Sequence, residues 1–115
     1  MKQKVSSVVF AVMALSIHSV GNSFTITEYR NALRQSGSKQ AIEMYIIGVG
    51  QGIFWSSVYT KFNGSAPVFC PPGDMTFTGD IILSVVNSGL KKTSLSGETS
   101  VELFMIDEFK RVFPC

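Results

Sequence analysis

Residues 41–59, AIEMYIIGVGQGIFWSSVY, are the stretch on which the fold class turns. Ala41, Ile42, Tyr45, Ile46, Val49 and Ile53 recur at three- and four-residue intervals, the period of a helix with one apolar face. Three glycines, Gly48, Gly50 and Gly52, weigh against a helix, since each costs up to about 1 kcal/mol relative to alanine. GVGQG also suits a phosphate-cradling loop, but neither a strand–loop–helix context nor a following Lys-Ser/Thr pair supports that chemistry. A helix from Ser38 towards Tyr59 is therefore expected. Gly48 and Gly52, four residues apart on one face, are expected to let another backbone pack closely. Trp55, with Phe54 and Tyr59, is expected in the core rather than in a ligand cage.

On the N-terminal side, Thr25 followed by Glu28 reads as a capping box, with Phe24 and Tyr29 placed as a hydrophobic staple. A helix over 26–35 would bury Ile26, Tyr29 and Leu33. Gly37, in Ser36-Gly37-Ser38, would end it in the left-handed conformation. On the C-terminal side, Lys61–Asp74 (KFNGSAPVFCPPGD) is irregular: Asn63-Gly64 marks a turn and Pro71-Pro72-Gly73 cannot continue a helix. Phe77, Ile81, Ile82, Val85 and Val86 suit a third helix over 76–91, capped by Thr76, with Asp80 favourable at the positive end of its dipole. A polar loop, Lys91–Gly97, follows. Val101, Met105, Phe109 and Val112 share a face of a last helix over 98–112. The expectation is an all-α domain of four helices.

The first residues read differently. Lys2 and Lys4 precede an apolar run, Val8–Ile17, and small residues Ser19, Val20 and Gly21 follow, the layout of a secretory signal peptide. The run is shorter than the roughly 20 residues that span a bilayer. Cleavage is expected after Gly21, with Ser23 as an alternative, which gives a leader of 1–21 and an exported mature domain of 22–115. The chain has 10 basic and 8 acidic residues; the leader takes Lys2 and Lys4 and no acid, so the remaining 94 residues carry 8 of each sign. A neutral domain has no electrostatic footprint for nucleic acid or an anionic membrane surface.

The chemistry that remains is sparse. The single histidine, His18, leaves with the leader, and with it any triad built on imidazole. Two cysteines, Cys70 and Cys115, are too few for a zinc site. In an oxidising compartment they would form one intramolecular bridge; two free thiols or intermolecular bridges are the alternatives. An enzyme using carboxylates alone would have to draw on Asp74, Asp80, Asp107 and Glu108, which are scattered or lie within one helical turn. No enzyme activity, cofactor or metal is expected, and the remaining role is protein binding.

The ordered set YIIGVGQG (Tyr45–Gly52), FCPP (Phe69–Pro72), a helix and a terminal FPC (Phe113–Cys115) resembles the Rap/Tai-type immunity proteins. These are periplasmic antidotes to peptidoglycan amidases delivered by the type VI secretion system. The likeness spans residues 38–115, with Tyr45, Gly48, Val49, Gly52, Phe69, Pro72, Phe113 and Pro114 as its motif positions. The resemblance implies an all-helical fold, a Cys70–Cys115 disulfide, and occlusion of the amidase active-site groove. Relatives of the Tai type form homodimers and insert an interhelical loop into the toxin cleft. By position that loop is Lys91–Gly97 here, which makes Lys91, Lys92, Thr93, Ser94, Leu95 and Ser96 the candidate partner contacts. The chain departs from the pattern at Phe77-Thr78-Gly79, where relatives have a polar start to the third helix. It departs again at Ser96-Gly97-Glu98, where they have a Pro-Glu pair. A small acid-activated periplasmic chaperone, also helical with one disulfide, is the alternative class.

Overall fold

The computed structural model describes residues 24–92 and 94–115. They form four helices: α1 (Ile26–Arg34), α2 (Lys39–Phe62), α3 (Gly79–Lys92) and α4 (Val101–Val112). The all-α architecture expected from periodicity is the one adopted, and a disulfide joins Cys70 to Cys115. The leader expected at 1–21 lies outside the described residues, as does Thr93.

α1 begins at its capping box. Thr25 Oγ1 accepts from the Glu28 N–H at 3.2 Å, and the Glu28 carboxylate accepts from the Thr25 N–H at 3.4 Å. A helix start leaves further N–H groups unpaired. Here Ile26 and Thr27 donate to the carbonyls of Thr99 and Gly97, each at 3.0 Å, while Val101 donates back to Phe24 at 2.8 Å. Residues 97–101 thus run beside the start of α1 and meet it at an isolated bridge between Thr25 and Ser100.

This pairing explains why α4 starts at Val101 and not at Glu98. The Gly97 and Thr99 carbonyls are committed to α1, and Ser100 becomes the cap, its Oγ accepting from the Leu103 N–H at 3.3 Å. α3 also starts late. Thr78 Oγ1, not that of Thr76, accepts from the Ile81 N–H at 3.3 Å. Phe77 is buried and its carbonyl accepts from Gln51 Nε2 at 2.7 Å, which holds the preceding residues out of the helix. Gly37 is not left-handed. α1 closes at Gln35, whose N–H donates to Ala32 at 3.2 Å, and Gly64, just past α2, has the one positive φ (77°) among the described residues.

α2 packs against each of the other three helices. The close approach falls at Gly50, where an added Cβ would lie 2.6 Å from Ile82 Cγ2 of α3. Gly48 and Gly52, expected to serve this purpose, face open space. Each is two residues from Gly50, or about 200° around the helix, and so points away from the bundle. Phe54 enters the core, stacked on Phe77 at 5.0 Å, and Phe77 meets Phe109 edge-on at 5.3 Å. Phe69, from the irregular segment, lies 5.2 Å from Phe109 and 6.3 Å from Phe113. The loop thus supplies part of its own core. Trp55 and Tyr59 do not share this fate; they are 62% and 70% exposed.

Candidate binding surfaces

The motif segments FCPP and FPC form one structural unit. Besides the disulfide, the Cys70 N–H donates to the Phe113 carbonyl at 2.8 Å. Ser57, buried on α2, secures the other side: its Oγ donates to the Phe69 carbonyl at 3.2 Å and accepts from the Val68 N–H at 2.9 Å. A hydroxyl inside an apolar helix face is the device, and it went unread in the sequence because Ser57 sits in a Ser-Ser pair without a turn signal. Phe69 and Phe113 point inward, whereas Pro72 and Pro114 are exposed.

The segment between α3 and α4 is held from both ends. Arg30 Nη2 donates to the Leu90 carbonyl at 3.2 Å, tying the last turn of α3 to α1. On the far side the Gly97 and Thr99 carbonyls accept from α1, and the Thr99 N–H donates to Ser96 at 3.1 Å. Between these anchors Lys91, Lys92, Ser94 and Ser96 are exposed, while Leu95 is half-buried against the core. The described part of the candidate loop is a short polar edge with a lysine pair at the negative end of the α3 dipole.

Tyr45 and Val49 of the first motif face different partners. Val49 packs on the core. The Tyr45 hydroxyl donates to Glu102 of α4, whose other carboxylate oxygen accepts from the Ser100 hydroxyl at 2.7 Å. Burial pushes the Glu102 carboxyl up, but the Tyr45 and Ser100 hydroxyls and backbone donors outweigh it and leave the group below its ordinary value. The same hydrogen bond, with a smaller contribution from burial, pushes the Tyr45 phenol up to about 12. The Phe24 ring stands edge-on to Tyr45 at 5.6 Å, so α1, α2 and α4 meet at this point.

The exposed side of α2 carries the surface that sequence reasoning missed. Met44 (66% exposed), Trp55, Tyr59 and Phe62 (85% exposed) share it with Gly48 and Gly52. A single apolar stripe was read from the periodicity. A second, opposite stripe was legible in the same residues, because a helix apolar all round is either buried on every side or partnered.

The acids do not assemble into a cluster. Asp74, Asp80 and Asp107 are exposed, and the buried Glu108 is neutralised by Arg111, which donates to it through Nε at 3.1 Å and through Nη2. No group of three or more His, Cys, Asp or Glu side chains among the described residues is placed to hold a metal ion. No described helix is long and apolar enough to cross a membrane. Compared with known proteins, no protein-family model, no curated protein and no solved structure matches the chain.

Proposed function

We propose that the protein is a periplasmic immunity protein that binds a type VI secretion amidase and blocks its action on the cell wall. The observation that carries the reading is the joining of the FCPP and FPC segments into one braced unit. With YIIGVGQG (Tyr45–Gly52), these are the segments on which the resemblance to the Rap/Tai-type antidotes rests. A stiff body lowers the ordering cost of presenting a loop to a partner. The edge formed by Lys91, Lys92, Ser94 and Ser96 is the proposed contact with the toxin groove, anchored on both sides as an inhibitory loop needs to be. Inhibitor interfaces bury about 1,600 Å² in total, which one face of a domain this size supplies. The test is direct. Purified protein is mixed with the amidase encoded beside its gene, and hydrolysis of cross-linked peptidoglycan is followed. Full inhibition near equimolar protein supports the proposal, and an amidase left fully active ends it.

The exposed apolar side of α2 favours one further reading, a chaperone that captures unfolded clients in acid. That reading expects dye-accessible apolar surface to grow between pH 7 and about 3 as carboxylates protonate. A flat response over that range removes it.

A further inference from the structure

Formal neutrality hides an uneven spread of charge. Arg30 of α1, Lys39 of α2 and Lys91 of α3 line one cleft where the three helices meet, and Glu43 is the single acid on its wall. The cleft is open and holds about 660 Å³, within the roughly 300–1,000 Å³ of small-ligand sites. Two of its donors are fixed from behind. Arg30 spends one Nη2 N–H on the Leu90 carbonyl at 3.2 Å, which holds the guanidinium in place and leaves its other N–H groups for an acceptor. Asn87 Oδ1 accepts from the buried Tyr29 hydroxyl at 3.0 Å, so the two Nδ2 N–H groups are what Asn87 offers the cleft it lines.

The other charges sort themselves by pairing. Lys39 lies 4.0 Å from Glu43, so those two largely offset each other. Lys91 makes no ion pair among the described residues, which leaves it and Arg30 as the cleft's excess charge. Between the polar groups stand Leu33 and Leu90, both packed on the core with part of their surface in the cleft.

We infer that this cleft binds a carboxylate carried on a short aliphatic stem, the carboxylate held by Arg30, Asn87 and Lys91 and the stem lying on Leu33 and Leu90. A guanidinium fork beside an amide N–H pair matches the two oxygens of a planar carboxylate, and the charge-assisted bonds are the strong ones. Donors locked by a second layer of hydrogen bonds meet the ligand without being reordered. Glu43 sets the limit on affinity, because its carboxylate repels the incoming one to the extent that Lys39 leaves it uncompensated. A free dicarboxylic acid and a glutamate side chain of a protein both carry this chemistry.

The inference shares Lys91 with the proposed amidase edge but does not rest on that reading, since it is tested on the protein alone. The exported, disulfide-bonded protein is titrated at constant ionic strength with glutarate, with the tripeptide acetyl-Ala-Glu-Ala-amide, and with inorganic phosphate. Each is taken to about 20 mM, where a site of millimolar dissociation constant is filled. Saturating NMR shifts are expected at the Asn87 side-chain amide and at the backbone amides of Leu33, Leu90 and Lys91, for at least one of the two carboxylates. Tighter glutarate points to a free acid, and a tighter tripeptide to a protein side chain. Arg30→Gln and Lys91→Gln are each expected to weaken binding about tenfold, and Glu43→Gln to tighten it several-fold. Arg30→Gln also removes the tie to Leu90, so melting is followed; Lys91→Gln removes charge alone and keeps the test sound if the first variant loosens the fold. Shifts that never saturate, or that spread equally to Lys61 and Lys110, overturn the inference. Phosphate binding as tight as that of either carboxylate overturns it, and so does an affinity unmoved by Lys91→Gln and Glu43→Gln.

Discussion

At the scale of single residues, two glycine environments on one helix make opposite demands. Gly50 abuts Ile82, a fully buried β-branched side chain with no free end to swing aside. Gly50→Ala is expected to lower stability by about 1–3 kcal/mol through overpacking, measured by urea unfolding. Gly48 meets nothing within 4 Å, so Gly48→Ala is expected to raise the stability of the helix by up to about 1 kcal/mol. Equal effects at both positions would contradict the packing described. Tyr45 and Glu102 give a pH signature. The Glu102 carboxyl is depressed in the fold, so its contribution is present above the ordinary carboxylate range and is lost as pH falls through the folded value. The Tyr45 phenol is raised to about 12, so its contribution is present below 10 and is lost as pH rises through about 12. The link therefore holds across the neutral range and loosens at both extremes. Tyr45→Phe is expected to cost about 1 kcal/mol at neutral pH. It should also move the Glu102 titration, followed by carboxyl-carbon NMR, upward from its depressed position.

At the scale of elements, the loop between α3 and α4 makes the sharpest demand on the proposed function. Lys91 and Lys92 are exposed and contribute little to packing but sit at the negative end of α3, so Lys91→Glu with Lys92→Glu should leave the fold intact and lower its stability by about 1–2 kcal/mol. If this edge enters an amidase groove, the pair should weaken inhibition, chiefly through slower association that depends on salt. Unchanged inhibition at low salt would move the contact elsewhere. The same region shows where sequence reading succeeded and where it ran out. The α1 start was legible because Thr25 and Glu28 cap it through local bonds three residues apart. The starts of α3 and α4 were each placed about one turn early. Their true positions depend on partners distant in sequence: Gln51 for Phe77, and α1 for Gly97 and Thr99. For α2 the period was right, and the ambiguity lay in which face was inward. Glycine on a surface face and glycine at a crossing read alike until the neighbouring helix is known.

At the scale of the whole molecule, the disulfide closes a chain segment with a sequence separation of 45 that contains α3, α4 and the core residue Phe77, and its first cysteine directly follows the buried Phe69. In the chain-entropy account, closing a loop of that length stabilises a fold by about 4 kcal/mol, against a total of 5–15 kcal/mol for a typical domain. Reduction is therefore expected to lower the unfolding free energy by a few kcal/mol, read as a lower urea midpoint with and without reductant. The loss should not be spread evenly. α1 is fastened by its capping box and by the Gly97 and Thr99 carbonyls, none of which involves sulfur. The 68–70 segment, by contrast, is held by Ser57, by the Phe113 carbonyl and by the bridge itself. Hydrogen exchange in the reduced protein should accordingly rise first at the amides of Val68, Phe69, Cys70 and Phe113, with α1 protected until global opening. Cys70→Ser with Cys115→Ser should reproduce that order. If α1 and the 68–70 segment lost protection together, the bridge would be supporting the whole bundle rather than its aromatic end, and the ring cluster of Phe69, Phe77 and Phe109 would have to be the nucleus on which every helix depends.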